Sequence, residues 1–123
     1  MMDYKNINEI IAPFNLLVYD EDPKNVRGSL IYYPDGEYRQ EVFDTREEEG
    51  FEGNGYDWES LALVFLEEKM PEISDAIDCD PEGSMFCAYS SKVDTVARFA
   101  LGFKDFCDDI EAMKDLFSRA ELD

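Results

Sequence analysis

Histidine is absent from the 123 residues. With it go the base of Ser-His-Asp and Cys-His nucleophile pairs, the commonest imidazole metal ligand and the side chain that relays protons near neutral pH. Carboxylate, thiol, tyrosine and lysine remain to do any chemistry. The carboxylates number 30, so two that lie close in sequence say little about acid–base catalysis. What would matter is a pocket that raises one pKa, and sequence does not display pockets. Cys79, Cys87 and Cys107 are an odd set without metal-ligand spacing, the pattern of a reduced chain. Cys79 and Cys87 flank a turn and meet across it only if the register allows. Buried structural thiols are the plainer expectation.

Three short stretches have spacing worth weighing. Asp78-x-Asp80-x-Glu82-Gly83 resembles the opening of a calcium loop, with oxygens at alternate positions and glycine at the sixth. Such a loop also needs a bidentate Glu at its twelfth position, where this chain has Tyr89, so a plain hairpin turn is expected. Gly53-Asn54-Gly55 precedes a helix and has the glycines of a phosphate cradle, but Glu52, Asp57 and Glu59 surround it with negative charge. Glycine turn geometry is the better account. Asp20, Glu21 and Asp22 read as an exposed turn rather than a metal site. No catalytic residue, cofactor or metal ligand is expected.

These residues are carried by a chain long enough for one domain, spanning 1–123, and 45% hydrophobic, enough to bury a core. Eleven basic residues against 30 acidic give a formal charge of −19. That charge favours solubility and encounter with basic partners, and it opposes nucleic acid and anionic membrane surfaces. No apolar run approaches the ~20 residues of a membrane span. Met1 to Asn6 lacks the basic and apolar regions of a signal peptide, so a cytoplasmic protein is expected.

Periodicity supplies the elements. Tyr4 to Ile11 reads as a leading helix, and Phe14–Tyr19 and Ser29–Tyr33 as strands stopped by Asp20 to Pro23 and by Pro34-Asp35-Gly36. Tyr38–Phe43 alternates and is assigned to a third strand, although a helix start fits it equally. Asp57 is placed to cap a helix that carries Trp58, Leu61, Ala62, Phe65 and Leu66 at helical spacing to about Met70. Pro71 ends that helix or opens a short successor. Ile77–Cys79 and Ser84–Tyr89 form the arms of a hairpin about Asp80-Pro81-Glu82-Gly83. Ser91 caps a helix from Lys92 to about Cys107, and a last helix runs from Ile110 to about Ala120. Strands, helices and a hairpin without a βαβ rhythm give an α+β domain: a mainly antiparallel sheet of about 4–5 strands packed against 3–4 helices.

The charge is unevenly compensated. Between Arg46 and Lys92 the only cation is Lys69, while acids recur from Glu47 to Glu82. The expected partner-binding surface is the span from Glu47 to Glu59. Glu47, Glu48, Glu49, Glu52, Asp57 and Glu59 would supply charge, and Tyr56 or Trp58 an aromatic contact where exposed.

At the same span the sequence becomes specific. Phe51-Glu52-Gly53-Asn54-Gly55-Tyr56-Asp57-Trp58, with Ser60-Leu61-Ala62 and Phe65-Leu66-Glu67, resembles the immunity protein 51 family of bacterial polymorphic toxin systems. The resemblance continues through Asp80-Pro81-Glu82, Phe-Cys-Ala-Tyr-Ser at Phe86 to Ser90, the helix around Phe99 to Phe103, and Leu116 to Leu122. It covers roughly residues 14 to 122. It implies a small cytoplasmic α+β protein made alongside a toxin, which it neutralises by direct binding. The toxin itself is unspecified; −19 suits a basic one, such as a nuclease. Expected partners are thus a cognate toxin, with no nucleic acid and no membrane, and the chain is expected to be a monomer or weak dimer. The alternative is an acidic adaptor or regulatory protein unrelated to toxins.

Overall fold

A computed structural model describes residues 4–20, 22, 24 and 26–121. Its elements in chain order are α1 (Tyr4–Ile11), β1 (Asn15–Tyr19), β2 (Arg27–Tyr32), α2 (Gln40–Asp44), α3 (Gly55–Lys69), β3 (Asp78–Cys79), β4 (Phe86–Ser90), α4 (Val93–Cys107) and α5 (Ile110–Phe117). Single 3₁₀ turns at Glu47–Glu49 and Ser74–Ala76 precede α3 and β3. The strands form one antiparallel sheet in the order β1-β2-β4-β3. This is the expected α+β class, with one more helix than expected.

Alternation along the strands decides which face the helices cover. Leu16 and Val18 of β1, Leu30 and Tyr32 of β2, and Phe86 and Ala88 of β4 turn one way and join the core. α1, α3 and α4 pack on these strands. At the centre is Trp58, with ring centroids 5.1 Å from Tyr32 and Phe43, 5.7 Å from Phe14 and 6.2 Å from Phe103. Aromatic pairs of this kind contribute about 0.5–1.5 kcal/mol each beyond the area they bury. β1 is an edge strand, and its unpaired backbone at Leu16 is taken up by α1. Asn8 Nδ2 donates to the Leu16 carbonyl at 3.1 Å, and Asn8 Oδ1 accepts from the Leu16 N–H at 2.6 Å. An amide side chain thereby does what a neighbouring strand would do, blunting that part of the edge.

Several local expectations need correction. The Tyr38–Phe43 strand is instead the turn that leads into α2. Asp35 accepts from the N–H groups of Glu37 and Tyr38, and Arg39 takes a left-handed conformation at φ 55°. Consecutive Val42 and Phe43 are both buried, which a helix allows but a strand with one covered face does not. The hairpin turn lies at Gly83-Ser84, two residues later than expected, because Glu82 and Met85 exchange backbone hydrogen bonds of 2.8 and 3.1 Å. Ser91 does not cap α4. Lys92 occupies that position without a side-chain cap, and Ser90 Oγ accepts from its N–H at 3.1 Å. The end of α3, by contrast, is as expected: it stops at Lys69, ahead of Pro71. Part of the Asp20-Glu21-Asp22-Pro23 turn, Glu21 and Pro23, lies outside the described residues.

Candidate partner-binding surface

The stretch from Arg46 to Glu59 is built around two internal anchors. The first is Arg46. Its Nε and Nη2 form a fork on the Glu49 carboxylate at 2.7 and 2.8 Å, while Nη1 donates to the carbonyls of Phe117 and Ala120. The guanidinium lies 4.6 Å from the Phe51 ring centroid and 5.2 Å from that of Phe117. One side chain thus ties the 3₁₀ turn Glu47–Glu49 to the end of α5. The hydrogen bonds from Arg46 hold the Glu49 carboxyl below its ordinary value.

The second anchor is Asp57. Helix α3 begins at Gly55, three residues earlier than expected, and its cap is Asn54, whose side chain accepts from the Asp57 N–H at 2.9 Å. Asp57 therefore stands at the third helical position of a capping box and returns the contact. Its Oδ2 accepts from the N–H groups of Glu52 and Gly53 at 2.7 and 2.8 Å, and from Asn54 at 3.4 Å. The nest of amides before α3, which the sequence offered as a phosphate cradle, is filled by the protein's own carboxylate. The glycines have separate duties. Gly53 adopts φ 89°, and Gly55 brings the start of α3 against the hairpin tip, its N–H donating to the Gly83 carbonyl at 3.1 Å.

The expected contact residues separate accordingly. Glu47, Glu48, Glu49 and Glu52 are exposed, Glu59 is half-buried and Tyr56 is 44% exposed. Trp58 is 1% exposed and belongs to the core, and Asp57 is buried in its nest. Trp58 therefore does not meet the condition of exposure set for an aromatic contact, whereas Tyr56 does. Compensation of the acidic span also looks different in three dimensions. Arg119 forks onto Glu68 at 2.8 Å, Arg98 reaches Glu72 at 3.4 Å and Arg46 holds Glu49. Arg119 and Arg98, distant in sequence, and Arg46, three residues away, neutralise those three acids, and Glu47, Glu48 and Glu52 take part in no ion pair among the described residues.

Burial disfavours the thiolate form of all three cysteines. Burial pushes Cys79 up to about 12 and raises Cys87 and Cys107 in the same direction. Cys79 pairs with Ala88 in the hairpin register, so Cys87 turns to the opposite face of the sheet. All three cysteines are free. Asp78, Asp80 and Glu82, the calcium-like spacing, run along an extended arm instead of wrapping a point. Among the described residues no group of three or more Cys, Asp or Glu is placed to hold a metal ion.

Sequence reasoning passed over a second surface. The side of the sheet away from the helices carries Leu17 and Tyr19 on β1, Ile31 on β2 and Tyr89 on β4, with Leu17, Tyr19 and Tyr89 exposed. The signal was available in the odd-numbered positions of Asn15–Tyr19, where apolar side chains fall on both faces. No described helix is long and apolar enough to cross a membrane.

The family model described as immunity protein 51 matches residues 19–122. No curated protein and no solved structure matches the chain.

Proposed function

The chain belongs to the immunity protein 51 family, and from that premise we propose that it binds and neutralises a cognate bacterial toxin by direct protein–protein contact. The family match carries the proposal. Two observations support action by binding. The chain has a formal charge of −19 and no histidine, and the local motif at Phe51–Trp58 is spent on an internal cap and core packing. A basic toxin, such as a nuclease whose active site must attract phosphate, is the target such a charge suits. The acting species is a cytoplasmic monomer or weak dimer. Glu47, Glu48 and Glu52, with Glu49, Glu59 and the exposed ring of Tyr56, attract and contact it. Asp57 and Trp58 hold that surface in shape from beneath.

The test is co-expression with the toxin encoded beside the gene. Cells carrying both are expected to grow, and the two purified proteins to elute as a one-to-one complex. Death of the co-expressing cells, with the chain soluble and folded, would refute neutralisation.

A further inference from the structure

The helices leave one face of the sheet uncovered, and the pairing register defines what lies on it. Across the strands run the rows Leu17–Ser29–Tyr89–Asp78 and Asn15–Ile31–Cys87. Tyr19 faces Arg27 at the end, with the guanidinium 5.7 Å from the ring centroid. Ser29 and Cys87 are each only 9% exposed although no helix covers them, and Cys87 lies outside the main core cluster. Their larger neighbours on the face flank them: Leu17 and Tyr19 on β1, Ile31 on β2 and Tyr89, 40% exposed, on β4. An exposed patch of this composition, rich in tyrosine, has the makings of a protein interface.

The patch has an acidic border. Asp80 donates its N–H to the Cys87 carbonyl, and Glu82 bridges Met85, so the arm continues the β3–β4 pairing to the hairpin tip. Period-two alternation then turns Asp78, Asp80 and Glu82 to the same side as Cys87 and Tyr89, and all three are exposed. The spacing that resembled a calcium loop is the spacing of a strand that lines one edge of the open face with carboxylates. By the register the face carries these three carboxylates against one cation, Arg27. That border repels a second copy, which carries the same acids, and complements a basic protein.

We propose that the uncovered face of the sheet is where the basic partner docks, its apolar centre on Leu17, Tyr19 and Tyr89 and its cations against Asp78, Asp80 and Glu82. This inference rests on the toxin-neutralising function. Within it, the Glu47–Glu59 surface attracts the partner and contacts its margin, and the sheet face governs how long it stays.

The experiment measures binding of the purified toxin encoded beside the gene to four versions of the full chain. Leu17→Thr/Tyr89→Thr keeps strand-forming residues while removing the apolar surface, and is expected to raise Kd about 30-fold or more, chiefly through faster dissociation. Asp80→Lys/Glu82→Lys is expected to raise Kd about tenfold at low salt and less at high salt. Leu63→Thr, an equally exposed apolar position on α3 away from this face, and the wild type should bind alike. Thermal melting of each variant confirms folding; if the Leu17/Tyr89 pair fails to fold, Tyr89→Thr alone is read, with about tenfold expected. Wild-type binding with the Leu17/Tyr89 variant unchanged within about threefold overturns the docking face and leaves neutralisation standing. No binding by wild type refutes neutralisation and the docking face together. A dimer in light scattering that the same substitutions dissolve, with toxin affinity unchanged, gives the face to a second copy and overturns the inference.

Discussion

Asn54 and Asp57 cap each other across the first turn of α3. The Asn54 side chain accepts from the Asp57 N–H at 2.9 Å, and the Asp57 carboxylate gathers the N–H groups of Glu52, Gly53 and Asn54. The chain thereby meets its own anion-binding nest with its own anion. This has two consequences. The loop is fixed at a point where a phosphate would otherwise sit, and the helix that carries Trp58 into the core starts at a defined residue.

Substituting Asp57 should therefore cost stability before it costs binding. Asp57→Ala leaves buried amides without their acceptor and is expected to destabilise by about 2–4 kcal/mol, the range for lost charge-assisted bonds plus a lost cap. Asp57→Asn retains one acceptor oxygen and should cost less. Urea titrations read both. Midpoints equal to wild type would show that water replaces the carboxylate freely.

Gly55 makes the next case sharper, because helix propensity and packing point in opposite directions. Alanine is the better helix former by about 1 kcal/mol. A Cβ at Gly55, however, would stand 1.9 Å from the Glu82 carbonyl oxygen and 2.3 Å from that of Met85. Both are backbone atoms of the hairpin tip and cannot rotate away. Gly55→Ala is expected to lower the melting temperature by more than about 10 °C, corresponding to several kcal/mol. Gly36→Ala is the comparison: its φ of 78° strains alanine, but nothing lies within 4 Å, so about 1 kcal/mol is expected. Equal effects at the two positions would mean that the hairpin tip moves aside.

The contrast between Asp57 and Val42-Phe43 explains how much of the fold was legible. Elements with one apolar stripe, such as the helix at Phe99–Phe103, announce themselves by period. The capping box was half visible: Asp57 reads as a cap, but choosing between it and Asn54 needs to know that Gly53 takes a positive φ and folds the loop back. α2 was hidden because five residues cannot display a helical period, and its start depends on Arg39 in a left-handed conformation. For the candidate surface, the sequence located the acids but not their partners. Arg119 meets Glu68 across 51 positions, a pairing that belongs to tertiary structure. The open sheet face was legible only once the register had shown which strand residues the helices leave uncovered.

The Arg119–Glu68 fork gives a pH test. Hydrogen bonds from Arg119 lower the Glu68 carboxyl below its ordinary 4.5. A carboxylate depressed by folding contributes stability above the unfolded value and loses it as pH falls through the folded one. Wild type should thus exceed Glu68→Gln in stability at pH 7, by a small and salt-sensitive margin, since both side chains are partly exposed. That margin should shrink progressively below pH 4.5 and vanish in stronger acid. Denaturant midpoints of the two proteins, compared at pH 7, 5, 4 and 3, measure it. A margin that stays constant across the series would assign it to something other than the ion pair.

Glu47, Glu48 and Glu49 adjoin in sequence but should behave differently on charge reversal. Glu49 is held by both Nε and Nη2 of Arg46, and Arg46 also binds the carbonyls of Phe117 and Ala120. Glu49→Lys would set two cations against each other and loosen the tie to the end of α5, so it should lower the melting temperature. Glu47→Lys/Glu48→Lys alters exposed positions outside any ion pair among the described residues and should leave melting within about 2 °C. The same pair should slow association with a basic toxin about threefold to tenfold at low ionic strength, the scale of electrostatic steering. The effect should fade at physiological salt, where the screening length is about 8 Å. Stopped-flow association rates across a salt series separate the two roles. If the Glu47/Glu48 variant associates as fast as wild type at the lowest salt, the attraction arises elsewhere on the surface, and the carboxylates beside the open sheet face, Asp78, Asp80 and Glu82, become the next to reverse.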